Sequence, residues 1–190
     1  SAVLTRQRSV VRTHQHPPQK LVLWTGFCIY AIIRPTMTLT THAAIGAAIG
    51  SAVGDPLLGF VLGAASHFLV DMIPHGDNQL SDLFRVHKKR RKLAIAYVTV
   101  DAIVAMYMVM AVFLVRTDGT NVAFAAAVAG SILPDLLVGM ADLVNWKPLK
   151  KFCKFHFYFH DFFSRRYGDV KLKYALVGQA LAVAILLKHI

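Results

Sequence analysis

Gly59-Phe60-Val61-Leu62-Gly63-Ala64-Ala65-Ser66-His67-Phe68-Leu69-Val70-Asp71-Met72-Ile73-Pro74-His75-Gly76-Asp77 is the stretch whose reading decides the fold. It is apolar almost throughout and is closed by Pro74 and Gly76, residue types that end helices. Gly59, Gly63, His67, Asp71 and His75 recur at intervals of four. Side chains at i and i+4 stack on one face of a helix. A single stripe thus begins as bare backbone and ends in three side chains able to ligate a metal. An imidazole and a carboxylate inside an apolar helix need partners, because unpaired polar burial is costly.

The run just before it repeats the pattern. Residues 38–54 hold His42, Gly46, Gly50 and Gly54, again four apart. Small residues at this spacing let helices approach closely in lipid. Asp55-Pro56 makes the turn, so the two runs, 38–54 and 57–73, form an antiparallel pair expected to pack tightly on each other. Each carries a histidine at the end away from the turn.

Composition sets the class. Of 190 residues 56% are hydrophobic and the mean hydropathy is +0.51, above the roughly 45–50% apolar content of soluble domains. The excess lies in long uncharged runs, as in integral membrane proteins. The net charge of +11 falls in loops between those runs, which fits anionic lipid headgroups and argues against nucleic acid as a partner. All ten acidic residues are aspartates, several of them within apolar runs. Cys28 and Cys153 provide neither a disulfide framework nor a cysteine-rich zinc motif.

Three further apolar runs follow, at 93–115 with Asp101, at 122–144 with Pro134-Asp135, and at 174–187. The expected fold is an all-α integral membrane bundle of about five spans, with the membrane domain over residues 37–190. Residues 1–36 are unlike the rest, being polar and basic ahead of a short apolar run at 21–33, and Met37 opens a more orderly sequence. The reading is an atypical extension, with the natural start at Met37. The loops at 76–92 and 146–173 are basic and so are expected on the cytoplasmic side. A rise of about 1.5 Å per residue then puts His42, His67, Asp71, Asp101 and Asp135 within roughly 15 Å of the cytoplasmic face. Ionisable groups at that depth face the bundle interior and mark function by default.

Imidazole and carboxylate together suit zinc, manganese or iron. His67, Asp71 and His75, with His42 from the neighbouring run, are the expected ligands of a divalent metal, zinc first. Asp135 is the expected base or a further ligand, and Asp101 a carboxylate orienting a ligand histidine. His156 and His160 stand at i, i+4 and, if helical, could close over the pocket mouth. A small ion or proton transporter, or a scaffold locked by the same groups, is the alternative, and the glycine stripes suggest self-association. No Gly-x-Ser-x-Gly elbow, phosphate-binding loop or His-Glu-x-x-His is present.

Thr41-His42-Ala43-Ala44-Ile45-Gly46, Ser66-His67-Phe68-Leu69-Val70-Asp71-Met72-Ile73-Pro74-His75-Gly76-Asp77, Gly130-Ser131-Ile132-Leu133-Pro134-Asp135 and the late His156 and His160 occur in the order seen in bacterial membrane-bound metal-dependent hydrolases. The chain resembles that family over residues 37 to about 166. Its second motif is also similar to the His-x3-Asp element of zinc-dependent phospholipase C-like proteins. The resemblance implies ester or phosphoester hydrolysis near a bacterial inner membrane. One departure is plain: the family's late histidine precedes Ser or Thr, whereas Asp161 follows His160 here.

Overall fold

The computed structural model describes residues 37–76, 91–115, 121–144 and 146–190. Residues 1–36, Asp77, the 88–90 part of the basic run and the turn at 116–119 lie outside the described residues. Seven helices are described: α1 Leu39–Val53, α2 Pro56–Asp71, α3 Arg91–Val115, α4 Asn121–Leu143, α5 Lys147–His160, α6 Ser164–Tyr167 and α7 Leu172–Lys188. No strand occurs among the described residues. All five apolar runs are helices, as their patterning requires. The stretch read as a loop at 146–173 contains two more, α5 and α6.

Two helices are long and apolar enough to cross a membrane, α3 over Ala96–Val115 and α4 over Val122–Ala141. They differ in surroundings, with 6% of the first window buried and 44% of the second. Helix α4 is therefore the central post and α3 a peripheral one. Helices α1 and α2 are apolar but shorter.

The α1–α2 hairpin turns on local chemistry. Gly54 closes α1 at φ 69°, a left-handed conformation open to a residue without Cβ. Asp55 caps α2 by accepting from the Leu58 amide at 2.7 Å, and Pro56 takes the first helical position, where a missing N–H costs nothing.

The glycine stripes meet α4 rather than each other. A Cβ on Gly63 would collide with the Ala127 carbonyl oxygen, one on Gly46 with Ser131 Oγ, and one on Gly130 with the Phe60 carbonyl oxygen. The sequence shows that a helix surface is bare but not which neighbour fills it. Helix α4 fills it because Ala123, Ala127, Gly130 and Ser131 make its own facing surface small. The glycine faces of both hairpin helices are thus occupied within the chain.

Two polar groups from distant helices, half-buried Asp101 and buried Gln179, hold the start of α1. Asp101 on α3 accepts from the Leu39 amide at 2.6 Å, the Thr40 amide at 3.3 Å and Thr40 Oγ1 at 2.6 Å. Gln179 Oε1 on α7 accepts from the Thr38 amide at 2.9 Å and from Thr38 Oγ1 at 2.8 Å. The open amides at a helix N-terminus require such acceptors wherever water is excluded.

Helix α5 is amphipathic, burying Leu149, Cys153, His156, Phe157 and His160. Val138 and Ala141 of α4 join three of these residues in one core cluster, which fixes α5 across the end of the bundle.

Replacing Gly63 or Gly130 with Ala is expected to lower stability by about 1–3 kcal/mol, the usual cost of overpacking. Gly139→Ala, with open space around its Cβ position, should stay within about 1 kcal/mol of wild type. Thermal unfolding midpoints in detergent compare the three.

Candidate metal centre

The site forms where the last turn of α2 passes α1, α4 and α5. His67 and Asp71 share one face of α2, and both are essentially fully buried. His67 Nδ1 is 2.8 Å from the Ser131 carbonyl oxygen of α4. A carbonyl only accepts, so Nδ1 carries the hydrogen and donates it. In the neutral ring the lone pair is then on Nε2. That atom lies 3.2 Å from Asp71 Oδ2 and 3.7 Å from Asp135 Oδ1.

Asp71 divides its two oxygens between two tasks. Oδ1 pairs with His42 Nε2 of α1 at 3.0 Å. Oδ2 faces His67 and also His156 Nε2, the latter at 3.6 Å. His42 and His67 stack with ring centroids 4.2 Å apart, so α1 and α2 are joined here by a hydrogen bond and a ring contact.

His156 arrives from α5. Phe68, the neighbour of His67, packs against Phe152, Phe155 and Phe159, with ring centroids 5.3–6.4 Å apart. This aromatic clasp presses α5 onto α2 and aims His156 inward. Its Nε2 is 3.7 Å from Asp135 Oδ1. Burial pushes the His156 imidazole down to about 3, so the ring is neutral near pH 7 and offers a lone pair. A metal needs that form of the ligand.

Among the described residues, His67, Asp71, Asp135 and His156 are the group able to hold a metal ion, their ligand atoms all lying within 4.8 Å of one another. Tetrahedral bonds of roughly 2.0–2.1 Å imply ligand–ligand edges of about 3.3–3.4 Å. Four of the six ligand-atom contacts, at 3.2–3.7 Å, bracket that value. His67 Nε2, Asp71 Oδ2 and His156 Nε2 are buried without a hydrogen-bond partner. Their close approaches to one another lack the alignment of hydrogen bonds. Three such atoms aimed at one point is what a cation would relieve, since each carries a desolvation cost on its own.

The residues singled out from sequence divide into three places. His67, Asp71 and Asp135 meet, and His156 joins them inside the centre rather than at a pocket mouth. His42 touches the centre through Asp71 and by stacking on the His67 ring, and is not itself one of the ligand group. Asp101 is away from it, on the α1 amides, so it orients a helix and no ligand histidine. His75 leaves the stripe because α2 ends at Asp71. Its Nδ1 donates to the Ile73 carbonyl at 2.7 Å and its Nε2 faces His160 Nε2 at 3.2 Å. Gln179 carries no signal in the sequence, and Ser131 and Asp161 enter it only as neighbours of motif residues, with no role of their own. Ser131 acts through a backbone carbonyl, which residue type does not reveal, while the His160-Asp161 adjacency was a signal available from the sequence.

A groove of about 380 Å³ adjoins His75, lined mainly by apolar residues including Met37, Pro74, Val170 and Tyr174. Compared with protein-family models, with curated proteins and with solved structures, the chain finds no match.

His42→Ala is expected to weaken metal affinity about 10- to 100-fold, the usual effect of losing a group that orients a ligand. Asp101→Asn should leave affinity unchanged and lower the unfolding temperature. Competition titration with a chromogenic chelator reads the first, and thermal unfolding the second.

Proposed function

We propose that the protein is a membrane-embedded, metal-dependent hydrolase acting on an ester or phosphoester. The observation that carries this is the convergence of two imidazoles and two carboxylates in a buried pocket where His67 Nε2, Asp71 Oδ2 and His156 Nε2 lack hydrogen bonds. His67, Asp71 and His156 form a two-histidine, one-carboxylate set of the kind that leaves one metal position for water. Asp135 is the least buried of the four, at 12%, and stands 3.7 Å from both histidine nitrogens. Were a cation held there, it would make a nearby water more acidic, and Asp135 would be placed to take the proton. The apolar groove beside His75 suits the hydrocarbon part of a lipid-like substrate. The resemblance of its short motifs, in their order, to those of bacterial membrane-bound metal-dependent hydrolases is in keeping with the same reading.

In this reading α1–α4 and α7 are the five membrane-inserted helices of a bacterial inner-membrane protein, with the basic loops cytoplasmic. Support comes from the outer surface. Val98, Ile103, Met106, Met110 and Leu114 of α3 and Val177, Leu181 and Ile185 of α7 are exposed. Apolar surface on that scale calls for lipid rather than water.

A second reading, a proton- or cation-handling protein, is favoured by the near-continuous run of imidazoles and carboxylates from His42 through Asp71 and His156 to His160 and Asp161. Metal dependence separates the two. Hydrolysis of a generic phosphodiester or carboxyl ester by the purified protein should cease with a chelator and return with zinc or manganese. Asp135→Asn should retain the metal and lower kcat on the order of 100- to 10,000-fold, whereas Asp71→Asn should lose both metal and turnover. Wild-type protein that relays protons in liposomes with no metal requirement would favour the second reading.

A further inference from the structure

One turn of α5 beyond His156, a second pair of imidazoles meets nitrogen to nitrogen. His75 and His160 are 5% and 2% exposed, and their Nε2 atoms are 3.2 Å apart. The other nitrogen of each ring is already assigned. His75 Nδ1 lies 2.7 Å from the Ile73 carbonyl oxygen, which can only accept, so Nδ1 carries hydrogen. His160 Nδ1 lies 3.1 Å from Asp161 Oδ1. Arg165 donates to the other Asp161 oxygen at 2.9 Å, a charge-assisted contact in which the carboxylate is the acceptor. His160 Nδ1 therefore carries hydrogen as well. With Nδ1 the donor on both rings, the two Nε2 atoms face each other across 3.2 Å, an arrangement that a shared proton or a cation between them satisfies.

A divalent metal satisfies both nitrogens at once. The separation is close to the edge of about 3.3–3.4 Å for two ligands on one tetrahedral ion with bonds of roughly 2.0–2.1 Å. Each ring also shows the support that ligand histidines have, a second nitrogen donating to a carbonyl or a carboxylate. The Asp161-His160 pair is one such carboxylate–histidine unit, with the carboxylate fixed by Arg165.

We propose that the Nε2 atoms of His75 and His160 hold a second divalent cation of the borderline class taken by imidazole, such as zinc, manganese or iron. Since His156 and His160 project from α5 one turn apart, with ring centroids separated by 5.9 Å, the second cation adjoins the first and the two form one centre. Water and substrate oxygens complete its coordination. This deepens the hydrolase reading and rests on it for substrate class alone. Paired cations clamp the oxygens of an in-line phosphoryl displacement, so the favoured substrate is a phosphoester.

The test is metal stoichiometry, which does not depend on turnover. Purified wild type is equilibrated with zinc, desalted and analysed for zinc per chain, together with His75→Gln, His160→Gln, Asp161→Asn and His156→Gln. About two equivalents are expected in the wild type and about one in each of the two variants of the second pair. Asp161→Asn should bind its second equivalent 10- to 100-fold more weakly. His156→Gln should lose the first equivalent instead. A folded wild type holding about one equivalent that His75→Gln leaves in place would overturn the second cation and leave the first centre standing. Two equivalents unchanged in both His75→Gln and His160→Gln would also overturn it. No zinc at all in folded protein would overturn both readings. If either variant misfolds, the wild-type count of one or two still decides.

Discussion

A carboxylate that is 1% exposed, as Asp71 is, has to be surrounded by donors or cations, because an isolated buried charge is among the most costly features a fold can carry. Much of the arrangement near Asp71 answers that requirement. His42 comes from α1 to one of its oxygens, while His67 and His156 come from α2 and α5 to the other. Three helices are tied to one acidic group. The cost is tolerable where hydrogen bonds and an ion share the charge, and it becomes useful if the ion is a metal with an open position.

Close packing around α4 makes the convergence possible. The glycine faces of α1 and α2 let both backbones approach α4 until a single added Cβ would strike its carbonyl or hydroxyl groups. At that distance the Ser131 carbonyl reaches the His67 ring and fixes its tautomer, and Asp135 comes within 4.8 Å of the other ligand atoms. Small residues in the upper turns thus set the geometry of polar residues in the lower ones. The aromatic clasp from Phe68 to α5 completes the enclosure.

Much of this was readable in the sequence, and for a physical reason. A four-residue interval in an apolar run dictates one helical face, so His67 and Asp71 could be placed together with no knowledge of the fold. The five apolar runs became helices within a few residues of their expected ends. What failed to read out depended on which elements meet. His156 sits on a helix whose return to the bundle rests on aromatic contacts distant in sequence. Asp101 looked like a site residue because it is acidic within an apolar run, yet the open amides of α1 supply an equally good reason for a carboxylate there. His75 kept the interval of four but lost the face, since the chain leaves helical geometry after Asp71. The glycine stripes announced close approach and left the partner undefined.

The most direct test of the central claim, that the buried group is a metal centre, is X-ray absorption spectroscopy of the zinc-loaded wild type beside His67→Gln. The account predicts nitrogen and oxygen ligands at about 2.0–2.1 Å, with outer-shell imidazole scattering that falls in the variant. A spectrum dominated by sulfur at about 2.3 Å, or one with no imidazole scattering and no change in His67→Gln, would contradict it.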